Sequence, residues 1–97
     1  MVEIAFDPER EQQNRRKHGL DFSLAPRVLH DPLAMTAYDR FEGGEHRWYT
    51  MAAVGHAGKV LVVIHTDPTP DDGGPLRIIG MREATSHERR RYEDSTD

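Results

Sequence analysis

The chain has 97 residues, a net charge of −4, and a composition that is 36% hydrophobic and 31% charged. That bounds it to one domain with one modest core. Cysteine is absent, which excludes disulfides and cysteine-based zinc sites, and no apolar run is long enough for a membrane span. The charge is uneven. Residues 20–76 hold four Lys/Arg against eight Asp/Glu, while the ends carry the local basic clusters RRK and RRR. Nucleic-acid binders are usually basic overall, so any such role here rests on those local clusters.

In chain order, VEIAF (2–6) alternates Val2, Ile4 and Phe6 and reads as a short strand. Asp7 then fits an N-cap, Pro8 the first helical position and Gly19 the C′ position of a helix. Nothing apolar lies between that Pro and that Gly, so the helix has no ordinary core face. Glu11 and Arg15 stand at i, i+4, and Arg15, Arg16, Lys17 and His18 complement the dipole at its C-terminal turn. Such local support is too weak for an isolated peptide of this length. The helix must lean on something, through Phe6 and Leu20–Phe22 or through the stems of its long side chains.

DFSLAPRVLHDP (21–32) reads as a second short helix, capped by Asp21 or Ser23, with Pro26 in its first turn and Asp31-Pro32 as its stop. LAMTAYD (33–39) is the next strand, RFEGGEH (40–46) a polar loop, and RWYTMAAVG (47–55) and KVLVVIHTD (59–67) a hairpin joined by HAG. Five consecutive apolar residues, Val60 to Ile64, mark the central strand, buried on both faces. PTPDDGGP (68–75) is a loop and LRIIGMREA (76–84) the last strand. TSHERRRYED (85–94) closes the chain as a helix, with Thr85 and Glu88 at capping-box spacing. The order β-α-α-β-β-β-β-α predicts one α+β domain over residues 1–97, an antiparallel sheet flanked by polar helices.

Two clusters could carry chemistry. Arg15, Arg16, Lys17 and His18 could bind phosphate and move a proton; the same run also suits a solvated helix end. Arg77, Arg82, Glu88 and Tyr92 form the second. With regular alternation Arg77 faces away from Arg82, while Glu88 and Tyr92 share a helical face. A surface ion-pair network with Tyr92 as packing anchor is the alternative. The six histidines (18, 30, 46, 56, 65, 87) show no zinc spacing. His30 and His56 suit the surface, and His65 at the end of the central strand suits a satisfied structural role. Trp48 and Tyr49 point to opposite faces of a strand, one toward the core and the other able to stack on a base, although an ordinary half-buried aromatic is the better reading of it. No G-x-S-x-G, G-x-G-x-x-G or Walker loop is present, so no metal or other cofactor is expected.

Together the segments resemble the BrnT toxins of bacterial type II toxin–antitoxin systems. The matching residues are Phe6-Asp7, Asn14, Lys17-His18-Gly19, Phe22, Ala25, Asp31, Arg47, Gly55, VLVVIHT, RIIGMREAT and ERRRY. They span essentially the whole chain. Three positions depart from the family pattern: Arg10 stands where Lys is usual, Ser23 and Leu24 where acidic residues are common, and Gly80 where a Ser precedes the last-strand Arg. The resemblance implies a RelE-like fold and a cytoplasmic endoribonuclease that inhibits translation by cutting RNA. It also implies a BrnA-type ribbon-helix-helix antitoxin, a toxin–antitoxin heterotetramer, and operator DNA contacted through the antitoxin.

Under that reading RNA supplies its own nucleophile, the 2′-OH, and a metal-independent site must orient it, shift protons and stabilise charge on phosphorus. The expected catalytic residues are Lys17, His18, Arg47, Arg82, Glu88 and Tyr92. Arg47 and Arg82 would grip phosphate oxygens, His18 would act as general base or acid, and Lys17 would bind phosphate. Glu88 would orient Arg82 or assist proton transfer, and Tyr92 would place the leaving group or stack on a base. Arg10, Arg15, Arg16 and Arg77 would bind RNA, and the two polar helices would converge on a groove at one rim of the sheet. Two alternatives remain: a non-catalytic binding module or co-repressor acting only through its antitoxin, and a metal-dependent nuclease.

Overall fold

The structure is a computed structural model and describes residues 3–55 and 58–95. Val2 of the expected first strand, and His56 of the expected hairpin connection, lie outside the described residues. Five strands form one sheet: β1 (Ile4–Phe6), β2 (Met35–Glu42), β3 (Glu45–Val54), β4 (Lys59–His65) and β5 (Leu76–Glu83), in the spatial order β1-β5-β4-β3-β2. Three helices accompany it: α1 (Pro8–His18), α2 (Ala25–Leu29) and α3 (Ser86–Ser95), with a single 3₁₀ turn at Phe22–Leu24 leading into α2. The domain is thus a small α+β fold. β2 to β5 pair antiparallel as expected, but β1 joins β5 in parallel, which makes the sheet mixed.

The central strand is β4, where Val60 to Val63 are all buried. On one face of the sheet Phe22, Ala25 and Val28 pack on Ala52, Leu61, Val63, Leu76, Ile78 and Met81. On the other, Tyr92 of α3 packs on Met51, Val60 and Val62. That second cluster is smaller, and α3 covers only one end of its face.

The polar helix α1 buries no residue. Its caps are those the sequence announces: the Glu9 N–H donates to Asp7 Oδ1 (2.9 Å), and Gly19 takes a left-handed φ of 70° at the C-terminus. It docks through hydrogen bonds instead of an apolar stripe. β1 ends opposite Ile78, leaving β5 beyond that point without a strand partner on that side. Asn14 Oδ1 there accepts from the Met81 N–H at 3.0 Å, and Glu11 Oε2 accepts from the Phe22 N–H at 3.2 Å. An amide side chain so substitutes for the missing strand and covers the open edge. A Cβ at Gly80 would lie 3.5 Å from Asn14 Oδ1, an ordinary contact, so this docking does not depend on the glycine.

The expected polar loop over 40–46 is mostly strand. β2 runs on to Glu42 and β3 begins at Glu45, so only Gly43-Gly44 turns, with φ of 62° and 82°. Two positive φ values in succession are what a tight hairpin turn matched to strand twist requires, and glycine meets that need without strain.

Two irregularities shape the sheet. In β2, Tyr38 pairs with Trp48 but Arg40 pairs with Arg47, so Asp39 is an extra residue. In β5, Gly80 pairs with Ile64 but Ile78 pairs with His65, so Ile79 is an extra residue. Each bulge reverses the facing of the residues on its far side.

Candidate functional site

The β5 bulge decides the first question about the arginines. Ile64 and His65 face opposite ways as neighbours on a strand, so their partners Gly80 and Ile78 do too. Arg77 therefore shares a face with Gly80 and Arg82, where uninterrupted alternation would separate them. The β2 bulge acts likewise, placing Arg40 beside Arg47 on that same face. Arg40, Arg47, Arg77 and Arg82 thus form a band across the sheet, on the part of the face that α3 leaves open.

Every one of them meets a carboxylate. Arg82 donates to Glu88 from both terminal nitrogens, at 2.7 and 3.0 Å. Arg47 Nη1 reaches Glu42 at 2.6 Å, and Arg77 Nη2 spans both oxygens of Glu45 at 2.9 and 2.8 Å. Arg40 pairs with Asp39 at 3.1 Å. Among the described residues Arg47 Nε is the buried side-chain polar atom with no hydrogen-bond partner.

Arg82 is the hinge of the site because it lines two grooves. One, of about 390 Å³, is shared with Lys17, His18, Glu83 and Thr85. The other, of about 190 Å³, is shared with Arg40, Arg47, Asp39, Glu42 and the floor residues Ile64, Ile79 and Gly80. The C-terminal end of α1 and the start of α3 converge on the last residues of β5, at the rim the sequence points to.

Glu88 has two tasks. The Thr85 N–H donates to its Oε1 at 2.9 Å while the Glu88 N–H donates to Thr85 Oγ1 at 3.1 Å, the capping box of α3. The same carboxylate grips Arg82. That hydrogen-bonded guanidinium, with smaller help from the Thr85 N–H, lowers the Glu88 carboxyl to about 2 and raises the Arg82 guanidinium above its ordinary value. Glu88 is therefore ionised near neutrality and orients Arg82; it has no proton to give.

Other candidates lie elsewhere. Tyr92 is buried, and its hydroxyl accepts from the Ala53 N–H at 3.3 Å. It is the packing anchor of α3, and placing a leaving group or stacking on a base is not open to a ring enclosed by Met51, Val60 and Val62. Arg10 is exposed on α1, and Arg15 and Arg16 border a separate hollow with Gln12; none of the three lines the Arg82 grooves. Trp48 and Tyr49 are both half-buried, Trp48 edge-on to Tyr38 and Tyr49 accepting from Arg91 at 3.2 Å. His65 is fully buried, with Nε2 2.7 Å from Thr50 Oγ1 and Nδ1 2.6 Å from the Thr66 carbonyl. It is a satisfied structural histidine, and burial pushes its pKa down. Among the described residues no group of three or more His, Asp or Glu is placed to hold a metal, and no helix is long and apolar enough to cross a membrane.

Arg40 escaped the reading of the sequence because it fell in a presumed loop, and Asp39 because it was read as the end of a regular strand. A signal was present: Tyr38 and Phe41 are three apart, a spacing that breaks strand alternation and marks a bulge.

A family model described as the ribonuclease toxin BrnT of type II toxin–antitoxin systems matches residues 6–88. No curated protein matches the chain.

Proposed function

The chain belongs to the BrnT family, ribonuclease toxins of type II toxin–antitoxin systems, and from that premise we propose a metal-independent endoribonuclease whose working centre is the groove of Lys17, His18 and Arg82. The observation that carries this reading is the position of Arg82, held bidentately by Glu88 between a Lys–His pair on one side and Arg47 on the other. A planar donor fixed by its neighbour is preorganised for the oxygens of a phosphorane.

In this mechanism His18 takes the proton of the RNA 2′-OH, whose oxygen attacks the adjacent phosphorus. Arg82 and Lys17 stabilise the added negative charge. The 5′-oxygen leaves and gains a proton from water in the open groove, giving a 2′,3′-cyclic phosphate and a 5′-OH. Glu88 positions Arg82, and Arg47 grips the RNA backbone. Arg77 adds positive charge on the same face. The acids that the family commonly carries after Phe22 are not needed for this route, since His18 supplies the base.

The biological setting follows the family: a single BrnT-like toxin domain in the cytoplasm, inhibiting translation by cutting RNA. It is neutralised by a BrnA-type ribbon-helix-helix antitoxin, whose dimer joins two toxins in a heterotetramer and contacts operator DNA.

The test is cleavage of labelled RNA, free and ribosome-bound, by antitoxin-free protein in EDTA, with the product ends identified. Cyclic-phosphate and 5′-OH ends, lost in His18→Ala and Arg82→Ala and suppressed by the antitoxin, are the expected result. Cutting that EDTA abolishes overturns metal independence. No cutting of either substrate by a folded protein overturns the nuclease centre and leaves a binding module acting through its antitoxin.

A further inference from the structure

We propose that the groove lined by Arg40, Arg47 and Arg82 is a second phosphodiester subsite, for the nucleotide flanking the cut, and that the Glu42 carboxylate occupies it in the free chain. The inference rests on the ribonuclease reading and extends it to where a neighbouring stretch of RNA lies.

Three observations converge. First, both bulges bring guanidinium groups to this face. Were every residue of these strands to alternate without a bulge, Arg40 would lie on the opposite face with Tyr38, and Arg77 would turn away from Arg82. Bulges that re-aim side chains collect beside working sites. Second, the groove has a nucleotide's chemistry: guanidinium donors along the wall, and a floor of Ile64, Ile79 and Gly80 against which a ribose or base can lie. Arg82 belongs also to the Lys17–His18 groove, so the two subsites are adjacent and share a cation. Third, Arg47 is short of acceptors. Glu42 satisfies Nη1 at 2.6 Å while Nε is buried without a partner. A phosphate presents more acceptor sites than Glu42 offers there.

Glu42 is well suited to leave. Its side chain is 52% exposed, it stands at the last position of β2 beside the Gly43-Gly44 turn, and Arg40 also reaches it at 3.9 Å. Bound RNA would replace one carboxylate by one phosphate on the same arginines, and the displaced carboxylate would return to water.

The test is fluorescence anisotropy with a short labelled 2′-O-methyl oligoribonucleotide, which cannot be cut, over a range of salt. Arg40 is 61% exposed, so Arg40→Ala keeps the fold, and thermal melts verify it. Glu42→Gln is expected to tighten binding about two- to fivefold, the range of a released exposed ion pair. Arg40→Ala is expected to weaken binding and to lower the slope of log affinity against log salt by about 0.7, one single-strand phosphate contact. Equal affinity and slope in wild type, Glu42→Gln and Arg40→Ala would overturn the subsite and return these pairs to a surface network. The outcome is separable from the cleavage reading. These shifts in a chain that does not cut would uphold the subsite, and their absence in a chain that cuts would remove it while sparing the nuclease centre.

Discussion

Arg82 and Glu88 show how one side chain's partners set its chemistry. Glu88 is both a helix cap and an arginine clamp, so replacing it touches stability and activity together. Glu88→Gln retains the size and one acceptor but loses the charge, and it is expected to lower the cleavage rate about tenfold or more by freeing Arg82. Arg82→Ala removes the donor itself and is expected to cost about a hundred- to a thousandfold, the scale of a lost oxyanion donor. Single-turnover kinetics on one RNA substrate separates the two. Equal losses would mean that Glu88 does more than orient.

Among the elements, α1 poses the sharpest physical question, because a helix without an apolar face holds two residues of the proposed working centre. Asn14 is the answer, through its bond to the backbone of β5 and its Nδ2 to the Leu20 carbonyl at 3.4 Å. Asn14→Ala leaves the N–H of buried Met81 without its acceptor and is expected to lower stability by about 1–3 kcal/mol in urea titration. It is also expected to lower cleavage, since Lys17 and His18 lose their anchor. Wild-type activity in that variant would show that α1 holds its place by other means. The β2 bulge gives a second prediction at this scale. Deleting Asp39 removes the bulge but leaves Tyr38 opposite Trp48 and Arg40 opposite Arg47, so Arg40 keeps its face and loses only the Asp39 carboxylate. Oligonucleotide affinity is expected to stay above that of Arg40→Ala, and a fall to that level would show that Arg40 needs the bulge to reach the groove.

For the molecule as a whole, an acidic chain presents a band of ion-paired arginines because the sheet gathers them from β2, β3 and β5 on one face, and RNA phosphates can exchange with their carboxylates. Cleavage is accordingly expected to slow as salt rises, despite the net charge of −4. Acid sensitivity is a global property too. Burial lowers the His65 pKa below 6.5, so the unfolded chain takes up a proton that the folded one excludes, and stability falls as pH drops below about 6.5. Glu88, held at about 2 against an ordinary 4.5, contributes stability that is complete above pH 4.5 and lost as pH falls toward 2. Urea melts across pH are expected to show stability declining from neutrality in these two windows, with Glu88→Gln flattening the lower one. A maximum in stability below pH 5 would contradict both assignments.

What the sequence determined by itself is what depends on near neighbours. Asp7 and Gly19 bound α1, Thr85 and Glu88 open α3, and the apolar run Val60 to Ile64 names the central strand, because caps and burial periodicity act over a few residues. The KHG and REATSHE stretches lie within the segment that matches the family, residues 6–88. Tertiary structure alone decided what depends on register between distant strands. It set the parallel pairing of β1 with β5 and the bulges at Asp39 and Ile79. From these follow the common face of Arg77 and Arg82, the recruitment of Arg40, and the end of β1 that leaves Met81 to Asn14. It also buried Tyr92, whose spacing from Glu88 placed both on one helical side without saying whether that side met solvent or the sheet. A strand's facing changes with one inserted residue, and whether that residue is accommodated is settled by the partner strand and the core beneath it.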